Sequence, residues 1–284
     1  ANFEIQNGFV VGSVKSQLIG NKIKLPFPSV GATENILMAS VLAKGETKIS
    51  NAAREPEIED LSNCLIKMGA KIEGHGTKTI LVQGVTNLKK AEHEIISDRI
   101  VAGTYIIAAL MLNSALEINN FNTIYLKSLI DILKKMGAKL KVSKNSIKVS
   151  KGSKLKSTSL STSPYPGFPT DLQAQLMSLM CISDGKSKIK ETIFENRFMH
   201  VPELNRLGAN ITVEKDTATI IGNQTFKGAQ VMASDLRASI SLVLAAMNAN
   251  GQTTLNRVYH LDRGYENIEK TLGSLGAKIK RQKN

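Results

Sequence analysis

The order of apolar and polar residues divides the chain into four similar segments. Each segment begins with a helical pattern rich in small apolar residues, passes through a polar turn into a short alternating strand, and continues into an amphipathic helix. The first helices are predicted at Ala32–Ala43, Ile100–Leu112, Leu172–Ile182 and Leu236–Met247. Because these helices are apolar nearly all round, we expect them to be buried on several sides.

A hydrophobic–Gly–Ala–polar step ends every amphipathic helix. Its glycines are Gly69, Gly137, Gly208 and Gly276, at intervals of 68, 71 and 68 residues. Glycine in this position predicts a left-handed residue that closes a helix, and β-rich sequence such as Lys139–Val142 follows. The repeating unit therefore reads strand–helix–strand–helix–strand–strand, which predicts a multi-repeat α/β fold.

The residues before Ser29 lack such helices. Phe3–Ile5, Phe9–Val11 and Ile23–Leu25 are interpreted as closing strands of a preceding unit, so we expect the chain to begin inside a repeat. Its 284 residues favour two domains over one.

The composition is basic but poor in aromatic residues. The 37 basic and 24 acidic residues give a net charge of +13, while aromatic residues are 5% and tryptophan is absent. A positive surface attracts polyanions, so a basic repeat scaffold that binds nucleic acid stays open as an alternative. No stripe of basic and aromatic residues for stacking bases accompanies the charge, which weakens that alternative.

Cysteine and histidine suggest neither a disulfide framework nor a metal site. Cys64 and Cys181 lie on apolar faces of predicted helices, so we expect buried free thiols, as in a reducing cytoplasm. No histidine pair has metal-ligand spacing, and no metal is expected. The longest apolar run, Ile106–Leu112, is far shorter than a membrane span of ~18 residues.

Arginines concentrate at the predicted strand–helix junctions, where a guanidinium can bind a carboxylate or phosphate with two parallel hydrogen bonds. The five junction arginines are Arg54, Arg99, Arg197, Arg237 and Arg263. Internal ion pairs with neighbouring acids remain an equal alternative for Arg54, Arg99 and Arg237. The contexts of Arg197 and Arg263 favour contact with an anionic ligand.

Two further segments carry candidate chemistry. Ser163–Asp171 holds three of the seven prolines and brings Asp171 to a helix start, where it serves as a general base or only as a cap. Ser29–Thr33 opens the first predicted helix, where free amides can hold a phosphate and where Ser29 can equally be an N-cap.

These motifs resemble the enolpyruvyl transferase family, specifically its UDP-N-acetylglucosamine branch. The similar stretches span nearly the whole chain: Ser29–Thr33, Asn51–Glu57, Ser97–Ile100, Pro164–Gln175, Glu191–Val201, Gly228–Ser241 and Tyr259–Glu266. The resemblance implies an inside-out α/β barrel made of two three-repeat domains, with four of six repeats present. Residues 1–96 would be the remnant of the first domain, on the UDP-sugar side, and residues 97–284 the second domain without its N-terminal strand.

The resemblance also implies an activity. The enolpyruvyl group of phosphoenolpyruvate would pass to the 3-hydroxyl of UDP-N-acetylglucosamine by addition and elimination, the first committed step of cytoplasmic peptidoglycan precursor synthesis. These two small molecules would be the partners, with no cofactor, nucleic acid or membrane involved. 5-Enolpyruvylshikimate-3-phosphate synthase is the enzyme alternative, but it lacks the Tyr165–Asp171 loop and the Glu195–His200 run.

By resemblance, each candidate residue has a role. Asp171 is the base, Arg197 and Arg263 hold phosphoenolpyruvate, and Asp98 and Arg99 lie at a hinge near the pocket. The remaining residues would contact the UDP-sugar. The backbone amides of Ser29, Val30 and Gly31 would bind its diphosphate, and Ile193 and Phe194 would form a wall against its acetylglucosamine and uridine. The family's general-acid cysteine falls outside this chain, and neither Cys64 nor Cys181 replaces it. We therefore expect this polypeptide to be inactive alone and the complete gene product to be active.

Overall fold

The computed structural model describes residues 2–282. The chain divides into two compact units, Ala1–Ile96 and Ser97–Asn284. In each unit, helices cover short sheets, and the apolar residues between them form the core.

Within residues 2–96, the first unit contains six strands and two helices. They are β1 (Asn2–Gln6), β2 (Phe9–Ser13), β3 (Lys22–Lys24), α1 (Val30–Ser40), β4 (Glu46–Ser50), α2 (Pro56–Lys67), β5 (Lys71–Glu73) and β6 (Thr79–Gln83). Four of the strands form a sheet in the order β3-β4-β6-β5. Leu37, Ile49, Ile58 and Ile80 are fully buried in its core.

The prediction for Ile23–Leu25 was wrong. β3 pairs in parallel with β4, placing Ile23 opposite Ile49, so it is the opening strand of the following unit rather than a closing strand of the preceding one. β1 and β2 form a separate antiparallel hairpin whose residues are all exposed. Short alternating sequence predicts a strand, but the partner strand is chosen by packing.

The second unit contains the remaining elements. They are α3 (Arg99–Met111), β7 (Leu116–Asn119), α4 (Lys127–Lys135), β8 (Leu140–Val142), β9 (Ser146–Val149), β10 (Leu160–Ser161), α5 (Gln173–Ile182), β11 (Lys186–Lys190), α6 (Val201–Arg206), β12 (Asn210–Glu214), β13 (Thr217–Ile221), β14 (Gln230–Met232), α7 (Leu236–Asn248), β15 (Thr254–Asn256) and α8 (Ile268–Ser274). Short 3₁₀ turns occur at Thr123–Leu126, Thr170–Leu172 and Val258–Arg263.

The same sheet topology recurs in the second unit. The order β10-β11-β13-β12 repeats that of the first unit, with the first pair parallel and the others antiparallel. The orders β7-β9-β8 and β14-β15 are shorter versions of this pattern. The helix–strand alternation predicted from the sequence is therefore present as a structural repeat.

Three apolar helices, α3, α5 and α7, pack against one another at the centre of the second unit. Every residue from Gln173 to Cys181 in α5 is buried, which confirms the expectation for these three helices. The expectation was wrong for the helix predicted at Ala32–Ala43, because α1 buries only Thr33, Leu37 and Ser40 and exposes Met38. Cys181 is fully buried, but Cys64 is only half-buried, contrary to the prediction. No helix within residues 2–282 has the length and apolar character needed to cross a membrane.

The four repeat glycines adopt the left-handed conformation that the sequence predicts. Their φ values are +103° at Gly69, +98° at Gly137, +101° at Gly208 and +97° at Gly276. The room that a side chain would have differs between these glycines. A Cβ on Gly137 would lie 2.8 Å from the carbonyl oxygen of Lys154, whereas a Cβ on Gly276 would meet nothing within 4 Å.

Replacing Gly137 by alanine is expected to destabilise the second unit more than replacing Gly276. Both variants force a left-handed alanine, which costs about 1–2 kcal/mol. Gly137→Ala adds a backbone clash, and overpacking costs about 1–3 kcal/mol more. Urea denaturation of both variants measures the difference in free energy of unfolding. Equal losses would show that the loop around Lys154 yields without cost.

Candidate active site

The proline-rich loop closes on itself and presents Asp171. The amide of Ser163 donates to the carbonyl of Phe168 (3.0 Å), and the amide of Gly167 donates to that of Pro164 (2.9 Å). Phe168 of this loop is buried in the core of the second unit. The chain then enters the 3₁₀ turn Thr170–Leu172, and α5 begins one residue later than predicted.

The Asp171 carboxylate binds two arginines. Nη2 of Arg197 donates to Oδ1 of Asp171 at 2.7 Å, and Nη2 of Arg237 donates to Oδ2 at 3.3 Å. The arginine side chains are largely buried, with 15% and 18% exposed, while 42% of the Asp171 side chain stays exposed. No side-chain cap is made at the start of α5, so a role as cap alone is wrong for Asp171.

Electrostatics at this cluster keep Asp171 ionised. Burial by itself would raise the pKa of Asp171, but the charges and hydrogen bonds of Arg237, and then of Arg197, hold that pKa below its ordinary value. Two guanidinium groups facing one carboxylate leave an excess positive charge. The cluster can therefore attract an additional carboxylate or phosphate.

Arg237 was not among the site residues predicted from the sequence. It comes from the second residue of α7, and the neighbouring Asp235 instead caps that helix by accepting hydrogen bonds from the amides of Arg237 and Ala238. The internal pair considered for Arg237 therefore has Asp171, 66 residues away, as its partner. Its position at a strand–helix junction was the available signal.

Arg263 does not contact Asp171. It ends the 3₁₀ turn Val258–Arg263 and is exposed, and its side chain forms no hydrogen bond or ion pair with residues 2–282. The end of this turn nevertheless lies close to the start of α7. A Cβ added to Gly264 would be only 2.8 Å from the Cδ2 of Leu236. Asp171 and Arg197 thus lie together, and Arg263 lies on an adjoining turn.

The proposed UDP-sugar wall flanks Arg197. Phe194 is 59% exposed, and the guanidinium carbon of Arg197 lies 5.0 Å from the centre of its ring. Ile193 is half-buried. A large exposed ring beside a cation is a surface suited to packing against a flat or apolar part of a ligand.

Asp98 and Arg99 begin α3. The Asp98 carboxylate caps the helix by accepting hydrogen bonds from the amides of Ile100 and Val101. Arg99 is buried, and its guanidinium carbon lies 5.8 Å from the ring centre of Tyr165 in the proline-rich loop. Both residues therefore lie in the structure that surrounds the Asp171 loop.

In the first unit, Ser29 caps α1 by accepting a hydrogen bond from the amide of Ala32 (3.3 Å). Gly31 in the first turn is exposed, and a Cβ there would meet nothing within 4 Å. The cap interpretation of Ser29 is confirmed. Capping uses the side chain and leaves the helix start, with its positive dipole end, able to hold an anion.

Two other titratable side chains of the second unit, those of His200 and Cys181, are unsuited to proton transfer. Burial lowers the pKa of His200 to about 4, so its imidazole is neutral at pH 7. Burial raises the pKa of the Cys181 thiol to about 12, which keeps it protonated and unreactive. Within residues 2–282, no three or more His, Cys, Asp or Glu side chains are grouped so that they could hold a metal ion.

The family model and the relatives that match this chain are all described as carboxyvinyltransferases. Residues 1–272 match the family of EPSP synthase (3-phosphoshikimate 1-carboxyvinyltransferase). The chain is 52% identical over 279 residues to UDP-N-acetylglucosamine 1-carboxyvinyltransferase of Pelagibacter ubique, covering 98% of this chain and 67% of the relative. It is 53% identical over 281 residues to UDP-N-acetylglucosamine 1-carboxyvinyltransferase 2 of Mesorhizobium japonicum, covering 99% and 67%. The chain thus spans about two thirds of these relatives.

Solved structures show the same architecture. The enolpyruvyl transferase NikO from Streptomyces tendae superimposes with a TM-score of 0.90 at 26% identity, covering 98% of this chain and 69% of that one. An EPSP synthase from Acinetobacter baumannii gives 0.71 at 19% identity, covering 94% and 65%, and supports the fold alone. The α/β fold expected from the sequence is confirmed.

Replacing Asp171 by asparagine is expected to make stability less dependent on acid. The folded-state pKa of Asp171 lies below its ordinary value of 3.8, so its contribution is complete above that value and is lost as the pH falls through the folded-state pKa. The stability gap between wild type and Asp171→Asn should therefore be largest at neutral pH and shrink below about pH 4.

Urea denaturation from pH 3 to 7 measures that gap. Asp184→Asn is the control, since the Asp184 carboxylate accepts a hydrogen bond from the neutral amide of Asn223 (2.8 Å) instead of facing arginines. A gap for Asp171→Asn that is flat with pH would mean that the two guanidinium groups do not stabilise the ionised carboxylate.

Proposed function

Since the chain belongs to the EPSP synthase family of enolpyruvyl transferases, we propose that its gene product transfers the enolpyruvyl group of phosphoenolpyruvate to the 3-hydroxyl of UDP-N-acetylglucosamine. Relatives at about half identity are named UDP-N-acetylglucosamine 1-carboxyvinyltransferase, which supports the acceptor and the transferred group. The structural observation that supports this proposal is the half-exposed Asp171 carboxylate between two largely buried arginines. In this role Asp171 would be a proton acceptor beside an excess of positive charge, as a transfer between anionic substrates requires.

In the proposed reaction, Asp171 takes the proton of the sugar hydroxyl. The hydroxyl oxygen forms a bond to C2 of phosphoenolpyruvate while C3 gains a proton from the general acid that the resemblance places outside this chain, giving a tetrahedral phospho-ketal. Return of a C3 proton to the conjugate base of that acid and cleavage of the C2–O bond, which releases inorganic phosphate, then restore the alkene. The arginines stabilise the carboxylate and phosphate throughout, because fixed cations need no reorganisation as charge develops.

Proton transfer requires Asp171 to be freed from its ion pairs. Arg237 and Arg197 lower its basicity in the structure, and a substrate anion that engages the same guanidinium groups would weaken that effect. Arrival of phosphoenolpyruvate would thus raise the pKa of Asp171 and make it a better base for the hydroxyl. We place Arg197 and Arg263 on the carboxylate and phosphate of phosphoenolpyruvate, with Arg237 beside them.

The remaining assignments concern the UDP-sugar and the chain as a whole. Ser29, Val30 and Gly31 would offer backbone amides to the diphosphate, and Ile193 and Phe194 would contact the acetylglucosamine and uridine. Residues 1–96 would belong to the first domain and residues 97–284 to the second, with Asp98 and Arg99 at the hinge. The product would feed peptidoglycan synthesis in the cytoplasm and so serve cell shape and division.

Ligand-dependent stabilisation of the full-length protein distinguishes the two acceptors. UDP-N-acetylglucosamine at about a hundred times its Kd should raise the free energy of unfolding by about 2.7 kcal/mol, and shikimate 3-phosphate should have no effect. Thermal denaturation with each ligand provides the measurement. Protection by shikimate 3-phosphate alone would assign the chain to the other branch of the family. Nucleic acid that protects in a strongly salt-dependent manner would favour a scaffold instead.

Arg263→Lys in the full-length protein is expected to keep the fold and reduce kcat by about 10²-fold, because the two-pronged contact with an oxyanion is lost. Arg206→Lys is the matched control. Arg206 is exposed in the same unit, and among residues 2–282 its one ion-pair partner is Glu203 (3.6 Å), three residues earlier. Phosphate release measures turnover. Near-normal kcat for Arg263→Lys would remove Arg263 from the active site.

A further inference from the structure

Glu191 is a buried carboxylate with four hydrogen-bond donors. It follows β11 and is 5% exposed. Oε1 accepts from the hydroxyl of Thr162 (2.8 Å) and from the amides of Ile193 (2.8 Å) and Phe194 (3.2 Å). Oε2 accepts from the hydroxyl of Thr170 (2.9 Å). An ionised carboxylate can be buried when such donors satisfy it.

The donors come from the two loops that carry the candidate site. β10 and β11 are neighbouring parallel strands, and Thr162 and Glu191 are the first residues beyond their carboxyl ends. Thr170 immediately precedes Asp171. Ile193 and Phe194 begin the turn that leads to Arg197. A single side chain therefore joins the Asp171 loop to the Arg197 turn.

The chemistry of a carboxylate makes this junction specific. It only accepts hydrogen bonds, so each of the four N–H or O–H groups must point toward it. Glutamine has nearly the same shape but would present an amide donor on one side. If that donor replaced Oε1, it would face the amide hydrogens of Ile193 and Phe194, leaving buried donors unpaired.

The two carboxylate oxygens of Glu191 accept hydrogen bonds from different donors. Oε2 accepts the hydrogen bond from Thr170, whereas Oε1 accepts those from Thr162 and from the two amides of the Arg197 turn. Removing the Thr170 hydroxyl would therefore disconnect the Asp171 loop and leave the other three hydrogen bonds in place.

We propose that Glu191 is a positioning residue for enolpyruvyl transfer, holding the Asp171 loop and the Arg197 turn so that base and cation stay adjacent (Arg197 Nη2 to Asp171 Oδ1, 2.7 Å) when a substrate anion displaces the ion pair. This role rests on the proposed function of the site. Glu191 acts through Asp171 and Arg197 and contacts neither substrate. Its loss would displace the proposed base relative to the cation, and a displacement near 1 Å can cost about 10²-fold in rate.

Thr170→Val tests the connection without removing the buried charge. In the full-length protein, we expect kcat to fall by about 10-fold to 10²-fold, with little change in KM for UDP-N-acetylglucosamine. Thr170→Ser retains the hydroxyl and should restore kcat. Glu191→Gln disturbs both loops and should lower kcat and raise that KM. Thr123→Val is the matched control, since Thr123 is a buried threonine of the same unit that donates to the carbonyl of Ser143 (2.7 Å).

A second measurement does not depend on activity. The pKa of Asp171 can be followed by NMR titration of the 284-residue chain carrying labelled aspartate. Thr170→Val and Glu191→Gln should move that pKa upward toward its ordinary value, because Arg197 no longer meets the carboxylate in a fixed position. Thr123→Val and Thr170→Ser should leave it unchanged.

The two measurements separate the proposals. If the full-length wild type transfers no enolpyruvyl group, the proposed function fails, and the Asp171 titration alone decides whether Glu191 positions the loops. If Thr170→Val matches Thr123→Val in both kcat and the pKa of Asp171, the positioning role of Glu191 is overturned. Should Glu191→Gln fail to fold, the Thr170 pair still gives this decision.

Discussion

The close packing of α3, α5 and α7 is the constraint from which the site follows. Asp98 at the start of α3, Asp171 just before α5 and Arg237 in the first turn of α7 are brought together because these helix starts lie at the same end of the unit. Buried polar contacts fix the packing, including the hydrogen bond from Ser178 of α5 to the carbonyl of Ser241 in α7 (3.1 Å). Helices that pack this tightly hold their ends at defined separations.

This arrangement concentrates positive charge where an anion would bind. The surface as a whole is basic, but scattered lysines attract anions without selecting among them. Arg197 and Arg237 are different because both are largely buried and both face one carboxylate. Burial strengthens their electrostatic effect on a bound anion, while the half-exposed Asp171 remains able to exchange partners.

Asp171 and Glu191 show how surroundings assign different roles to two carboxylates. Glu191 is buried among neutral hydroxyl and amide donors, which fix it in one orientation. Asp171 is bound by two charged guanidinium groups, and 42% of its side chain remains exposed. The first arrangement suits support of neighbouring loops, and the second suits proton transfer to and from a ligand. The two are connected through Thr170, so the rigid carboxylate supports the accessible one.

Local features of the chain were determined by the sequence itself. Helix periodicity and a left-handed glycine depend on residues a few positions apart, so the helices and the four closing glycines were predictable, as was the family through its motifs. Only the tertiary structure decided that β3 opens a sheet, that Arg237 reaches Asp171 and that Glu191 joins two loops. These partners lie 21 to 66 residues apart, and the distance between them is set by how helices and strands pack, which no short sequence pattern encodes.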